Sequence, residues 1–538
     1  MLKLVFKLLS HKDRCMAGWV ALSVLARSIL DFFGIAALIP VLIMVLGKDS
    51  NPTKALQLCV AVFVFVLLKN ALVMRLARFQ NHFLLDIYKL FSRQMFCNYY
   101  NRGFLFLKGK SSVQLAHEVN FICYTFSLCV LSPLFKIVGE ALLLLMMIAA
   151  LIIWAPLSGI LLCVGFLPIV ILYVRIVKKR LRSYGTEELE ARRNQSRTVV
   201  EAFRGYPELE ISEAFQSLLT SFDLGLNVIA KNRLRMEITQ LFPSFLSEIS
   251  IIIGLALLIG LSGGDLGVMS GVFAIAAYRM IPSVRGILNS WSTLQNASHS
   301  ITTIAEGLEK QEERTMNQES DFQFKHAIKI KNLTFIFPDG GVILKNLNFN
   351  IARGEKIGIR GSSGSGKSTL FNLLLGFLQP TFGEIWIDER ALTSVNRRQW
   401  HKLVGYVPQE IFIIQGSLAE NIALGQKEID RNKIMRVLSQ VKLKEWAEML
   451  PQGINTYLGE YGSRLSGGQK QRIGIARALY KDAEVLFFDE ATSALDNETE
   501  HEINLALEEL SVRYKELTMI VIAHRESSLT FCDRIIEL

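Results

Sequence analysis

The sequence predicts a multidomain chain. An all-α six-helix transmembrane domain covers residues 1–310, a linker covers 311–322, and an α/β domain of the P-loop type with a mostly parallel sheet covers 323–538. Three observations predict this. Long apolar runs fill the first 290 residues. After about Glu309 the apolar runs shorten and alternate with helical patterns. One of the short runs leads into a glycine-rich loop of phosphate-binding type.

Composition agrees. Hydrophobic residues make up 51% of the 538 and charged residues only 20%, with a mean hydropathy of +0.32. Those values exclude a disordered chain, a collagen and a small disulfide-stapled scaffold. The net charge is +10. Nucleic-acid binding is one reading of such an excess. Loops on the cytoplasmic face of a membrane protein are the other, and no basic platform interleaved with aromatics is present, so no nucleic-acid partner is expected. Seven cysteines are scattered without a C-x-x-C pair or a histidine at zinc spacing, which argues against a disulfide framework or a structural metal. The N-terminus lacks the long apolar region and small-residue site of a cleaved signal peptide.

A spanning helix needs about 20 mainly apolar residues. Runs over residues 16–46, 56–76, 126–154, 157–177, 241–261 and 266–288 satisfy this and give six spans, with both termini on one side. The connections at 47–55, 154–156 and 262–265 are short; those at 77–125 and 178–240 are long and basic. Positive charge places the long connections and both termini in the cytoplasm. Apolar positions at three- and four-residue spacing run on through both long connections, so the spanning helices either continue far into the cytoplasm or give way to ordinary loops. The candidate turning points are 108–119 and 203–214.

Ionisable residues within the spans are costly and face a bundle interior or a water-filled cavity. Arg27/Asp31 and Lys136/Glu140 are opposite charges four apart, the spacing of a local ion pair. Glu248, Arg279 and Arg285 have no such partner and are candidates to line a substrate cavity that accepts an anionic group; the alternative is snorkelling toward an interface.

In the second half, 327–337, 347–351, 356–360, 485–488 and 519–523 read as strands. The loop Gly361, Ser362, Ser363, Gly364, Ser365, Gly366, Lys367, Ser368, Thr369 follows the third and opens an apolar helix. Its glycines let backbone N–H groups converge on phosphate oxygens, and the helix N-terminus adds a positive dipole end. Lys367 is placed to reach the β- and γ-phosphates, and the Ser368 hydroxyl to ligate Mg²⁺. The strand 485–488 ends in Asp489 and Glu490. That puts Asp489 beside the metal and Glu490 where it can polarise an attacking water.

Leu465, Ser466, Gly467, Gly468 and Gln469 then precede an apparently helical stretch. Together with the loop and the Asp–Glu strand end, this resembles the signature motif of ABC transporters. The resemblance covers the chain in architecture and residues 325–538 in motifs. It implies that Gln409 is the Q-loop glutamine, sensing Mg²⁺ alongside Ser368 and Asp489. It implies that Phe337 stacks on adenine, that 493–496 is the D-loop, and that His524 is the switch histidine beside the γ-phosphate. Glu490, His524 and Gln409 are therefore the catalytic set, and ATP and Mg²⁺ the cofactors. In this family one chain's P-loop pairs with another's LSGGQ around each ATP, so one membrane half plus one ATPase half implies a homodimer in the lipid bilayer. The two cytoplasmic turns become candidate coupling helices.

Six spans before a C-terminal ATPase domain is the half-exporter arrangement, placed by the resemblance in a bacterial inner membrane with the ATPase domain in the cytoplasm. The chain is most similar to the branch that flips lipid-linked oligosaccharides, through its N-terminal opening, residues 277–283 of the sixth span and residues 311–314. The expected function is ATP-driven export or flipping of an amphiphilic substrate by alternating access. A peptide or bacteriocin exporter, a general lipid or drug exporter, and a non-transporting membrane ATPase remain alternatives, although no peptidase-like segment precedes the first span.

Overall fold

The structure is a computed structural model; it describes residues 8–37, 40, 52–154, 156–261, 267–309, 322–337, 340–459, 462–490, 497–523 and 525–538. The chain divides into two compact units, Met1–Gln311 and Glu312–Leu538.

The first unit is helical throughout its described residues. Helix α1 spans His11–Ala36, and Ser10 caps it by accepting the Asp13 N–H. Helix α2 spans Pro52–Asn101. Proline at its start has no N–H to lose, and no glycine or second proline interrupts it before Gly103, which adopts a φ of 86° and breaks the helix. After the short α3 (Phe104–Lys108) the chain turns into α4 (Ser112–His117), then α5 (Cys123–Phe126) and α6 (Ser132–Trp154). The π-helical turns Glu118–Ile122 and Ser127–Leu131 separate these three. Helix α7 (Pro156–Arg204), short α8 (Tyr206–Ile211), α9 (Phe215–Leu261), α10 (Gly267–Asn296) and α11 (Ser298–Leu308) follow.

Helices α2, α7 and α9 have 50, 49 and 47 residues. At 1.5 Å per residue each is ~70–75 Å long, more than twice the ~30 Å of a hydrocarbon core. The long basic connections are thus continuations of long helices, not loops. The first turn lies at 102–111, nearer the N-terminus than the 108–119 expected, because Gly103 ends the helix; the second holds α8 within 203–214. Among the described residues three helices are long and apolar enough to cross a membrane: His11–Ala36, Leu56–Asn101 and Ser112–Ile153. Helices α7, α9 and α10 run through the expected fourth, fifth and sixth spans, where many side chains lie outside the described residues. The expected turns at 47–55, 154–156 and 262–265, and the linker at 311–322, lie wholly or partly outside them too.

One correction concerns charge. Lys136 and Glu140 form no ion pair with each other among the described residues. Asp31 is only 3.9 Å from Arg27 Nε but 2.8 Å from Lys69 Nζ on α2, so its main partner comes from another helix.

The second unit is α/β with two sheets. The parallel sheet has the order β6-β7-β8-β3-β9, made of Val404–Val407, Val485–Asp489, Thr518–Ile522, Lys356–Arg360 and Arg534–Glu537. An antiparallel sheet of order β2-β1-β4-β5 (Val342–Ala352, Ala327–Ile336, Phe382–Ile387, Arg390–Ala391) was not foreseen. Val485, Leu486, Phe487 and Phe488 are fully buried, as central strands of a covered parallel sheet require. Around the sheets lie α12 (Lys367–Leu374), α13 (Arg397–Leu403), α14 (Leu418–Ile422), α15 (Arg431–Gln440), α16 (Lys444–Met449), α17 (Gly467–Tyr480) and α18 (Asn497–Arg513). Phe371 of α12 meets Phe487 edge-on at 5.3 Å and locks that helix to the sheet.

Candidate nucleotide site

Strand register builds the site. Asp489 pairs with Ile522, and Ile522 with Ile359; Phe488 pairs with Val407. Four strands therefore end level, and the residues just beyond them sit along one edge. Those residues are Gly361 after β3, Glu490 after β7 and Gln409 after β6. Ligands of open α/β sheets bind at such carboxyl ends. His524, one residue past the end of the described stretch that contains β8, and the D-loop at 493–496 lie outside the described residues.

The loop between β3 and α12 has the expected cradle. Gly364 and Gly366 adopt φ of +84° and +96°, where a side chain is strained. A Cβ on Gly366 would lie 2.7 Å from Leu344 Cδ2, so the backbone passes too close to β2 for anything but glycine. Lys367 is buried, and its ammonium donates to the carbonyls of Gly361 (2.8 Å) and Ser362 (3.0 Å). Ser365 Oγ is buried with no partner among the described residues. Ser362, Ser363 and Ser368 are exposed, and Thr369 is half-buried at the start of α12. Glycines that leave room, a cation at the loop's mouth and an unmatched hydroxyl fit a polyphosphate.

Asp489 and Glu490 sit side by side at the end of β7. Burial raises the Asp489 pKa above the ordinary carboxylate value, and the Glu490 charge raises it further; the Tyr406 hydroxyl and Lys367 oppose this. Tyr406 donates to Asp489 Oδ2 at 3.4 Å, and burial beside that carboxylate pushes its own pKa up. A carboxylate uncomfortable in its charged form, next to a lysine, fits a divalent cation that would share its charge. Glu490 has a φ of 49°, in the left-handed region that is uncommon for a non-glycine residue. Its N–H donates to Ile522 O at 3.0 Å, and its Oε2 accepts from Gln409 Nε2 at 3.0 Å. The two side chains separated by 81 residues are thereby joined.

Besides Tyr406, two supporting residues on α17 escaped the sequence reading. Gln471 donates to the Gln409 carbonyl at 2.8 Å, and its own Oε1 is buried without a partner among the described residues. Arg477 donates to the Phe412 carbonyl at 2.6 Å and to Asn421 Oδ1 at 2.9 Å, and burial brings its pKa down to about 10. Both lie on α17, so the helix that starts at the LSGGQ stretch also fixes the Gln409 loop. Periodicity marks them only as polar positions on a helix.

Ser466 is the N-cap of α17. Its hydroxyl accepts the Gln469 N–H, and Gln469 Oε1 accepts the Ser466 N–H at 2.9 Å, a complete capping box. Ser466 and Gly467 are exposed, Leu465 and Gln469 half-buried, and Gly468 buried. Phe337 is half-buried at the end of β1 and meets Phe335 edge-on at 5.0 Å. In the helical unit, Glu248 and Arg285 are exposed and Arg279 is half-buried.

Comparison with known proteins agrees with this geometry. A family profile described as ABC transporter matches residues 344–493. An ATP-dependent lipid A-core flippase of Ralstonia nicotianae is 32% identical over 390 residues, 69% of this chain and 64% of the relative. One from Nitrosococcus oceani is 30% identical over 456 residues, 83% of this chain and 75% of the relative. One from Saccharophagus degradans is 38% identical over 265 residues, 49% of this chain and 45% of the relative. The first of these matches thus spans just under two thirds of its relative's length. The structure of a bacterial Atm1-family ABC exporter with ATP bound superposes with a TM-score of 0.78 over 98% of this chain and 93% of that one, at 22% identity, and so shows the fold.

Proposed function

The chain belongs to the ABC transporter family, and we propose that it is an ATP-driven exporter or flippase that moves an amphiphilic substrate across a bacterial inner membrane. The flippase names of its relatives support a lipid-like cargo, such as a lipid-linked sugar or glycolipid. The observation that carries the reading is the junction of Gln409 and Glu490 at the sheet edge that also bears Lys367 and Asp489.

The residues divide the work. Backbone N–H groups of 361–369 and the Lys367 ammonium hold the phosphates, and Phe337 offers an aromatic face to the base. Ser368, Asp489 and Gln409 would supply the oxygen ligands for Mg²⁺. Bound there, the ion would draw negative charge from the phosphates. Glu490 orients water and takes its proton; the Gln409 amide keeps that carboxylate at the sheet edge. His524 is assigned to the γ-phosphate. The exposed Ser466 hydroxyl, the Gly467 N–H and the helix dipole at the start of α17 are offered to a phosphate of the nucleotide held by the second copy. The protein therefore works as a homodimer with two composite sites. Closure of those sites on ATP drives the membrane halves between inward and outward openings, because ATP binds the closed form better.

Mixing two defective chains tests the composite site. Lys367→Ala and Ser466→Arg each abolish hydrolysis alone. Co-assembled at random, half of the dimers are mixed and each mixed dimer has one intact site, so about a quarter of wild-type activity returns. No recovery in dimers verified as mixed contradicts the shared site.

A further inference from the structure

Between α1, α2 and α6 lies a cavity of about 250 Å³ whose lining includes Arg27, Asp31, Gln80, Asn81, Lys136 and Glu140. Its walls are fixed. Lys69 of α2 holds Asp31 of α1 at 2.8 Å, Gln80 of α2 donates to Ser23 of α1 at 3.1 Å, and Ser28 of α1 donates to the Gly139 carbonyl of α6 at 2.8 Å. Asp31 is thus satisfied, and Arg27 and Lys136 line the cavity with exposed side chains. Arg27 reaches Asp31 only at 3.9 Å, Lys136 has no ion pair among the described residues, and Glu140 Oε2 is buried without a hydrogen-bond partner among them. A buried, unmatched carboxylate oxygen is costly, and charges at membrane depth mark binding sites or conduits.

A ligand that relieves all three carries an anion for the two cations and a hydrogen-bond donor for the carboxylate. Residues 77–84 of α2 lie just beyond its apolar run, 56–76, where Arg75 and Arg78 mark the cytoplasmic boundary. That is the depth of inner-leaflet headgroups. The volume is below the ~300–1,000 Å³ of sites that enclose a whole drug-sized ligand, so it suits a headgroup whose acyl chains stay in the bilayer. We propose that this cavity is a headgroup-selecting subsite: Arg27 and Lys136 hold a lipid phosphate, and Glu140 accepts from an amine or hydroxyl beside it. This rests on the transport reading above.

The test titrates the full-length protein in detergent with three dihexanoyl phospholipids. Ethanolamine and glycerol headgroups offer donors beside the phosphate; choline offers the same phosphate without one. Wild type is expected to bind the first two about tenfold tighter than the third, the scale of one charge-assisted hydrogen bond. Glu140→Gln removes the preference, Glu140→Asp keeps it, and Lys136→Met weakens all three alike. Inorganic phosphate at equal concentration is expected not to displace the ethanolamine lipid; if it does, the site takes a free anion and the headgroup assignment falls. Equal binding of the three lipids by wild type, or a preference that survives Glu140→Gln, overturns the subsite. ATP-dependent flipping in the same preparation separates the two readings. Flipping without headgroup preference leaves transport standing and removes the subsite, whereas preference without flipping does the reverse.

Discussion

At the scale of single residues, the nucleotide site is two adjacent carboxylates with different neighbours. Glu490 is tied to Gln409, and Asp489 sits under Tyr406 near Lys367. Glu490→Gln keeps the amide contact geometry but removes the base, so ATP hydrolysis should fall roughly 10²–10⁴-fold while nucleotide still binds; a steady-state assay beside a binding titration reads both. Asp489 gives a pH signature. Its folded pKa is raised, so it favours folding only when protonated, and that contribution is lost as pH rises through the folded pKa. In EDTA at pH 7, Asp489→Asn should therefore raise Tm. The gap should narrow as pH falls through the raised pKa and vanish below the ordinary value of 3.8, which melting curves at several pH values would show. Lys367, Asp489 and Glu490 are legible in the sequence because phosphate chemistry needs those residue types at fixed spacing. Tyr406, Gln471 and Arg477 are not, because each acts through a contact between strands or helices far apart in sequence.

At the scale of elements, sequence patterns gave the type of each long helix but not its extent. Helix α2 continues for 25 residues past its apolar run, 56–76, to Asn101. Polar residues at helical spacing mark that extension, yet only Gly103 shows where it stops. The antiparallel sheet was invisible for another reason: β4 is short and largely exposed and β5 is two residues, so neither carries a buried apolar run. The Asp31–Lys69 pair was likewise hidden, since spacing along one helix pointed to Arg27. Lys69→Met strands Asp31 and should cost about 2–3 kcal/mol, somewhat below the range for fully buried pairs; Asp31→Asn added to it should recover most of that loss in denaturant titration. In the other unit, Ser466→Ala removes one arm of the capping box of α17. It should destabilise that helix by about 1 kcal/mol and weaken hydrolysis further than that, since α17 also holds the Gln409 loop.

At the scale of the whole molecule, the proposed function couples a helical unit to an α/β unit in one chain. The central claim is that Glu490 powers passage of an amphiphile from one leaflet to the other. Reconstitution in liposomes with a fluorescent polyprenyl-pyrophosphate oligosaccharide or a labelled glycolipid tests it most directly, by following protection of the label from a membrane-impermeant quencher. ATP should drive that change with wild type and not with Glu490→Gln. ATP hydrolysis at full rate with no movement of any offered lipid would contradict the claim and leave a membrane ATPase whose work lies elsewhere.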